Sequence, residues 1–134
     1  MWPAGSDSYL YYLDKILILK QLRNLLFIAI GASLGALIRW KFQNIFIVNI
    51  IGSSLLGFVY SLKLKMPVNM FLGLGFCGAL TSFSAWMVNS IYFAFKGYWL
   101  ISIGSILGPL FIAFISAILG FLLGKRITSS RRFQ

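Results

Sequence analysis

The sequence predicts an all-α membrane protein of four transmembrane helices whose third helix is broken. Three observations predict it. Hydrophobic residues fill 60% of the 134 positions and charged residues only 10%, more apolar surface than a soluble domain of this length can hide. The charges fall mostly at the ends of apolar runs, leaving spans at 24–40, 44–62, 68–95 and 98–124 joined by a few residues each, a single membrane domain. The third run is uncharged, exceeds the roughly 20 residues a straight span needs, and carries glycines and hydroxyls at its middle.

Ahead of the first span, residues 1–23 read as an interfacial lead-in, with Tyr9, Tyr11 and Tyr12 near Lys15 and Lys20. Asp7, Asp14 and Lys15 interrupt any signal-peptide core. The first span carries Gly31 and Gly35, a small-xxx-small pattern that lets helices approach closely. Gly104/Gly108 and Gly120/Gly124 repeat it in the fourth span. Arg39 beside Trp40 either snorkels to the interface or draws an anion toward a vestibule. In the second span Asn49 falls about one turn inside an apolar helix, with Gly52 and Ser53 on the same face. Its amide offers two uncharged donors, to an ion or to a neighbouring helix.

The third span holds Gly75-Phe76-Cys77-Gly78-Ala79-Leu80-Thr81-Ser82-Phe83-Ser84-Ala85-Trp86. In hydrocarbon, non-helical backbone survives only where it is buried in protein or lines a polar cavity. This segment therefore predicts a helix broken at the midplane, where such breaks hold ions. Two chemistries stay open. Carbonyls freed near Gly78 and Thr81 suit a hard cation. The electropositive ring edges of Phe83 and Trp86, at i and i+3, suit an anion. In the fourth span Ser102, Ser105, Pro109 and Ser116 share one stripe, although serines also bond back to their own helix. Pro109 frees the Ser105 carbonyl and predicts a kink there. Residues 125–134 form a basic tail.

Absences narrow the chemistry. There is no His, and the only acids, Asp7 and Asp14, precede the first span. No span carries the carboxylate of a proton-coupled carrier, the clustered ligands of a catalytic metal, or a general acid–base pair, so no enzyme is expected. Cys77, alone, reads as a small buried hydrophobe. The net charge of +10 is scattered over loops and termini, which argues against nucleic acid. Four crossings put Lys15, Lys20, Arg23, Lys63, Lys65, Lys125, Arg126, Arg131 and Arg132 on one side, and Arg39, Lys41 and Lys96 on the other. Nine against three predicts both termini in the cytoplasm, in the cell membrane.

Three blocks, in order, carry a resemblance: Gly31 to Trp40, Val48-Asn49-x-x-Gly52, and Gly75-Phe76-Cys77-Gly78-x-Leu80-Thr81-x-Phe83-Ser84. In these the chain resembles the Fluc/CrcB family of fluoride channels, over roughly 24–124. The resemblance implies a small antiparallel dimer with two fluoride pathways and a structural Na⁺ at its centre. Fluoride would leave passively, down the gradient that arises when HF enters and dissociates. By motif, Gly78 and Thr81 would give carbonyls to the Na⁺, and Asn49 and Phe83 would line the anion path with Ser84 on its polar track. Arg39 matches the arginine of the family's first span, in a vestibule or structural role. Ser105, in the less clearly matching fourth span, is added to the pathway.

Departures are informative. Trp86 stands where the family usually has a second Phe, which alters or closes one pathway, and Ser82 replaces the common second Thr. In this family, paired genes give chains of opposite fixed orientation, so the charge bias predicts one half of a heterodimer rather than a homodimer. Two other readings stay open: a non-conducting assembly subunit, and a small multidrug-type exporter that would need a membrane carboxylate.

Overall fold

A computed structural model describes residues 6–42 and 44–130. The first five residues of the lead-in, and Arg131 and Arg132 of the basic tail, lie outside the described residues. The lead-in and the first span form one uninterrupted helix, α1 (Ser6–Lys41, 36 residues). At 1.5 Å per residue it is about 54 Å long, against about 30 Å of hydrocarbon. After it, the Asn44 side chain caps α2 (Ile45–Ser61), accepting the Ile47 N–H at 3.2 Å.

A turn with Lys63 in the left-handed region (φ 48°) leads to α3 (Met66–Asn69), whose Pro67 sits in the first turn where its missing N–H costs nothing. The helix then widens into a π-helical stretch, Met70–Cys77, and tightens again as α4 (Gly78–Leu80). Here it breaks. The chain restarts as α5 (Ser84–Phe95), turns at Gly97 (φ 81°), and finishes as α6 (Trp99–Ser130), which continues through Pro109 and into the basic tail.

The paths Tyr11–Lys41, Met66–Phe95 and Trp99–Ser129 are long and apolar enough to cross a membrane. The apolar α2 is shorter, with 17 residues and about 25 Å. The burial pattern is inside-out relative to a water-soluble protein. Among the described residues the buried hydrophobics are only Val48, Val59, Cys77 and Leu80, whereas Asn49, Ser53, Ser61, Ser90, Ser102 and Ser116 are buried polar groups. Leu, Ile and Phe side chains cover the outside of all the long helices. Water would not tolerate that surface, and lipid favours it. The chain is a multi-pass membrane protein.

Because lipid is as apolar as leucine, helices here associate by close packing and hydrogen bonds rather than by hydrophobic exclusion. α1 packs chiefly on the π stretch, and α2 chiefly on α6. Both contacts run through glycine. A Cβ at Gly31 or Gly35 would overlap the Phe71 or Phe76 carbonyl, and one at Gly57 or Gly120 would overlap the Ala117 or Ser54 carbonyl. The expected repeat at Gly104 and Gly108 is not used in this way, since among the described residues nothing beyond their own helix backbone lies within 4 Å of either added Cβ. Beyond the break, α5 packs on α6. The break thus lets one crossing serve three neighbours, with its first half held by α1 and α2 and its second by α6.

Candidate functional site

Breaking a helix strands carbonyls at the end of one half and N–H groups at the start of the next. Thr81 turns extended (φ −80°, ψ 146°) after its own N–H has closed the last turn on the Cys77 carbonyl at 3.1 Å. The break occupies Thr81–Phe83, three residues beyond Gly78, which remains helical.

Two side chains from neighbouring helices hold the opened backbone. Asn49 of α2, 3% exposed, grips Ser82 at both ends. Its Nδ2 donates to the Ser82 carbonyl at 3.1 Å, and its Oδ1 accepts the Ser82 N–H at 2.7 Å. Arg39 of α1 reaches the Thr81 carbonyl with a long bond of 3.5 Å from Nη1. Gly52, one turn after Asn49, makes room for this. A Cβ there would lie 2.6 Å from Thr81 Cγ2. Ser53 follows the bland alternative and bonds back to the Asn49 carbonyl of its own helix at 2.6 Å.

The break leaves several carbonyls without a backbone donor, among them those of Gly78 and Thr81. Ser82 N–H, which would continue the helix to Gly78, is taken by Asn49, so the Gly78 carbonyl accepts only the Thr81 hydroxyl at 3.3 Å. The Thr81 carbonyl meets Arg39 and no backbone N–H. Oxygens of this kind suit a hard cation. No cluster of His, Cys, Asp or Glu fit to hold a metal occurs among the described residues, so backbone oxygen is the donor chemistry on offer.

The remaining predicted residues lie at the end of the break and beyond it. Phe83 is 51% exposed, Ser84 is exposed, and the Ser82 and Ser84 hydroxyls are 3.3 Å apart. Ser105 is not beside Asn49. It joins a separate hydroxyl cluster between α5 and α6, with its Oγ 2.7 Å from Ser90 Oγ and bonded to the Ser102 carbonyl at 2.8 Å. Ser90, 1% exposed, is the hub: it also donates to the Trp86 carbonyl at 2.9 Å, and its own carbonyl accepts the Ser102 hydroxyl at 2.7 Å. The fourth-span stripe is therefore split. Ser102 and Ser105 face α5, while Ser116 bonds back to Ile112 at 2.8 Å.

Sequence reasoning missed Ser90. The signal was available, because Ser90 lies four residues after Trp86 and so falls on its face of the helix.

A sequence profile described as "CrcB-like protein, Camphor Resistance (CrcB)" matches residues 26–121. The chain is 42% identical over 103 residues to "Fluoride-specific ion channel FluC 2" of Prochlorococcus marinus (strain MIT 9313), covering 77% of this chain and 83% of that one. It is 35% identical over 108 residues to "Fluoride-specific ion channel FluC 1" of another strain of Prochlorococcus marinus, covering 81% and 87%. A more distant relative, "Fluoride-specific ion channel FluC 1" of Listeria innocua, is 34% identical over 114 residues, covering 75% and 97%. The matched region contains every predicted site residue from Arg39 to Ser105.

Proposed function

This chain belongs to the CrcB family of ion channels, which are not enzymes, and from that premise we propose that it conducts fluoride passively out of the cytoplasm. One observation carries the reading: among the described residues, the buried polar groups are the Asn49 amide and five serine hydroxyls, without a charge among them. A small halide gives up its water only if donors replace it, and it leaves again only if none of them holds it as an opposite charge would. Hydroxyl hydrogens rotate, so the Ser90–Ser105 pair can turn a donor toward a passing anion. Asn49 spends one amide hydrogen on Ser82 and keeps a second. It also holds the Ser82 backbone at both ends, next to the exposed Phe83. The positive edges of Phe83 and Trp86 complete the anion's surroundings.

The working unit in this reading is an antiparallel dimer. Gly78 and Thr81 of this chain supply carbonyls to a central structural Na⁺, and the bound ion fixes the breaks of the two partners against each other. Two carbonyls fall short of a hard cation's shell, so the partner chain is needed to complete it. The charge bias, and relatives whose names are numbered FluC 1 and FluC 2, favour a paralogous partner over a second identical chain. Both termini then face the cytoplasm in this half.

Trp86 favours one second reading, a subunit that assembles with a partner but does not itself conduct. Fluoride efflux from liposomes, followed with an ion-selective electrode, separates the two. The conducting reading expects efflux from the chain with its companion, and a further loss when this chain's own donors are removed. Failure of the reconstituted pair to dissipate a fluoride gradient would end the proposal. Efflux indifferent to every substitution in this chain would leave only the assembly role. A multidrug-type exporter would instead show substrate-dependent proton flux.

A further inference from the structure

We propose that the end of the bundle where α2 and α6 meet binds the phosphate headgroup of an anionic phospholipid. A cavity of about 560 Å³ opens there, lined by Tyr60, Lys63, Asn69, Lys125 and Ser129. That volume falls in the range of small-molecule sites, roughly 300–1,000 Å³. The polar lining offers two ammonium groups, hydroxyls and a carboxamide, the donors a phosphate takes. Tyr60 and Phe121, with ring centroids 6.3 Å apart, form an apolar wall beside them.

The identity of the ligand follows from what adjoins the cavity. A second groove of about 490 Å³ shares Lys125 and Ser129 with it and continues along Leu119, Leu122 and Leu123 of α6. A free phosphate would occupy the cavity and leave this groove bare. A phospholipid fills both, with its headgroup between Lys63 and Lys125 and an acyl chain along the leucines. Lys63 and Lys125 lie at the ends of the α2 and α6 apolar runs, the level at which lysines reach headgroups.

The chain itself supplies little countercharge. It has twelve basic residues against two acids, Asp7 and Asp14, both in α1. Two acids cannot balance twelve bases, so most of the neutralisation comes from outside the chain. The inference rests on membrane embedding alone and not on what the protein conducts.

Native mass spectrometry of the purified protein in neutral detergent tests it, with dioleoyl phosphatidylglycerol and dioleoyl phosphatidylcholine as probes. Phosphatidylglycerol should be retained in preference to phosphatidylcholine. The pair Lys63→Gln and Lys125→Gln should weaken that retention about thirtyfold, at the usual worth of two lysines near anionic lipid. The control pair Lys15→Gln and Lys20→Gln removes the same charge elsewhere and should leave it unchanged. Ser129→Glu, which puts a carboxylate where cavity and groove join, should reduce phosphatidylglycerol retention but spare phosphatidylcholine. Equal retention of the two lipids, wild-type behaviour of the Lys63/Lys125 pair, or equal loss in the control would overturn the proposal. Complete displacement by inorganic phosphate, but not by chloride at matched ionic strength, would make this a phosphate-ion site and overturn the lipid assignment.

Discussion

The two halves of the third crossing are held by different forces. From Met66 to Leu80 the backbone lies directly against α1, because Gly31, Gly35 and Gly75 leave no side chains between the helices. From Ser84 to Phe95 the crossing meets α6 through hydroxyls, with Ser90, Ser102 and Ser105 bonded to one another and to backbone carbonyls. Close glycine packing is short-ranged and unforgiving, so it fixes position. Hydroxyl pairs can exchange partners at small cost, so they suit a surface an ion has to cross. The first half is the scaffold and the second half carries the exchangeable donors, and the Asn49 clamp joins them.

The contrast is most easily broken at its rigid end. Gly35→Val drives a side chain into the Phe76 carbonyl. Overpacking of backbone by a branched residue costs about 3 kcal/mol. We expect little monodisperse protein on size-exclusion chromatography after extraction, with or without a companion chain.

The clamp comes next. Asn49→Ala strands the Ser82 N–H and carbonyl, each at about 1–3 kcal/mol, and should reduce fluoride efflux at least about tenfold. Asn49→Asp keeps an acceptor for the Ser82 N–H while adding a negative charge. It should block efflux and, with a buried carboxylate against the Ser82 carbonyl, melt below Asn49→Ala in a thermal denaturation series. If the aspartate variant conducts normally, Asn49 is not on the pathway.

At the exchangeable end, Ser90→Ala removes the hub of the α5–α6 cluster. About 1 kcal/mol of stability should be lost, because Ser105 retains its bond to the Ser102 carbonyl. Efflux should drop severalfold. A collapse as complete as that of Gly35→Val would show that the second half is scaffold as well.

The smallest effect is expected at Gly104 and Gly108. Among the described residues, alanine at either position meets nothing beyond its own helix backbone within 4 Å, and its helix propensity adds up to about 1 kcal/mol. Light scattering on the purified variants sharpens the picture. Intact assembly leaves these glycines facing lipid, whereas dissociation would put them at a contact between copies.

How far the sequence foretold this arrangement depends on contrast. Asn49, Arg39 and Thr81 stood out because each is a polar group in or beside an apolar run, and the structure gathers all three at the break. Ser105 was legible as part of a stripe, but its distance from Asn49 was not, because helical periodicity assigns a face without naming the neighbour it meets. Ser90 was passed over because a single serine in a helix usually bonds its own backbone, as Ser116 does here.

The π-helical stretch left no signal, since Met70–Cys77 is apolar and suits an α-helix as well. The continuity of α1 was hidden for the opposite reason. Asp14, Lys15 and Lys20 looked like a boundary, yet they are good or tolerable helix residues wherever they stay solvated. Charge marks where lipid ends, and the helix need not end with it.

That continuity has a geometric consequence. A rod of about 54 Å is about 20 Å longer than about 30 Å of hydrocarbon, and if it stands upright the excess rises from the face where the chain begins. Two chains lying head to tail would raise such a mast from each side of the bilayer, and two lying in parallel would raise both from the same side. A short amine-reactive tether could then never join Lys15 to the Lys15 of a head-to-tail mate, whereas a parallel pair would offer both ammonium groups to it at once.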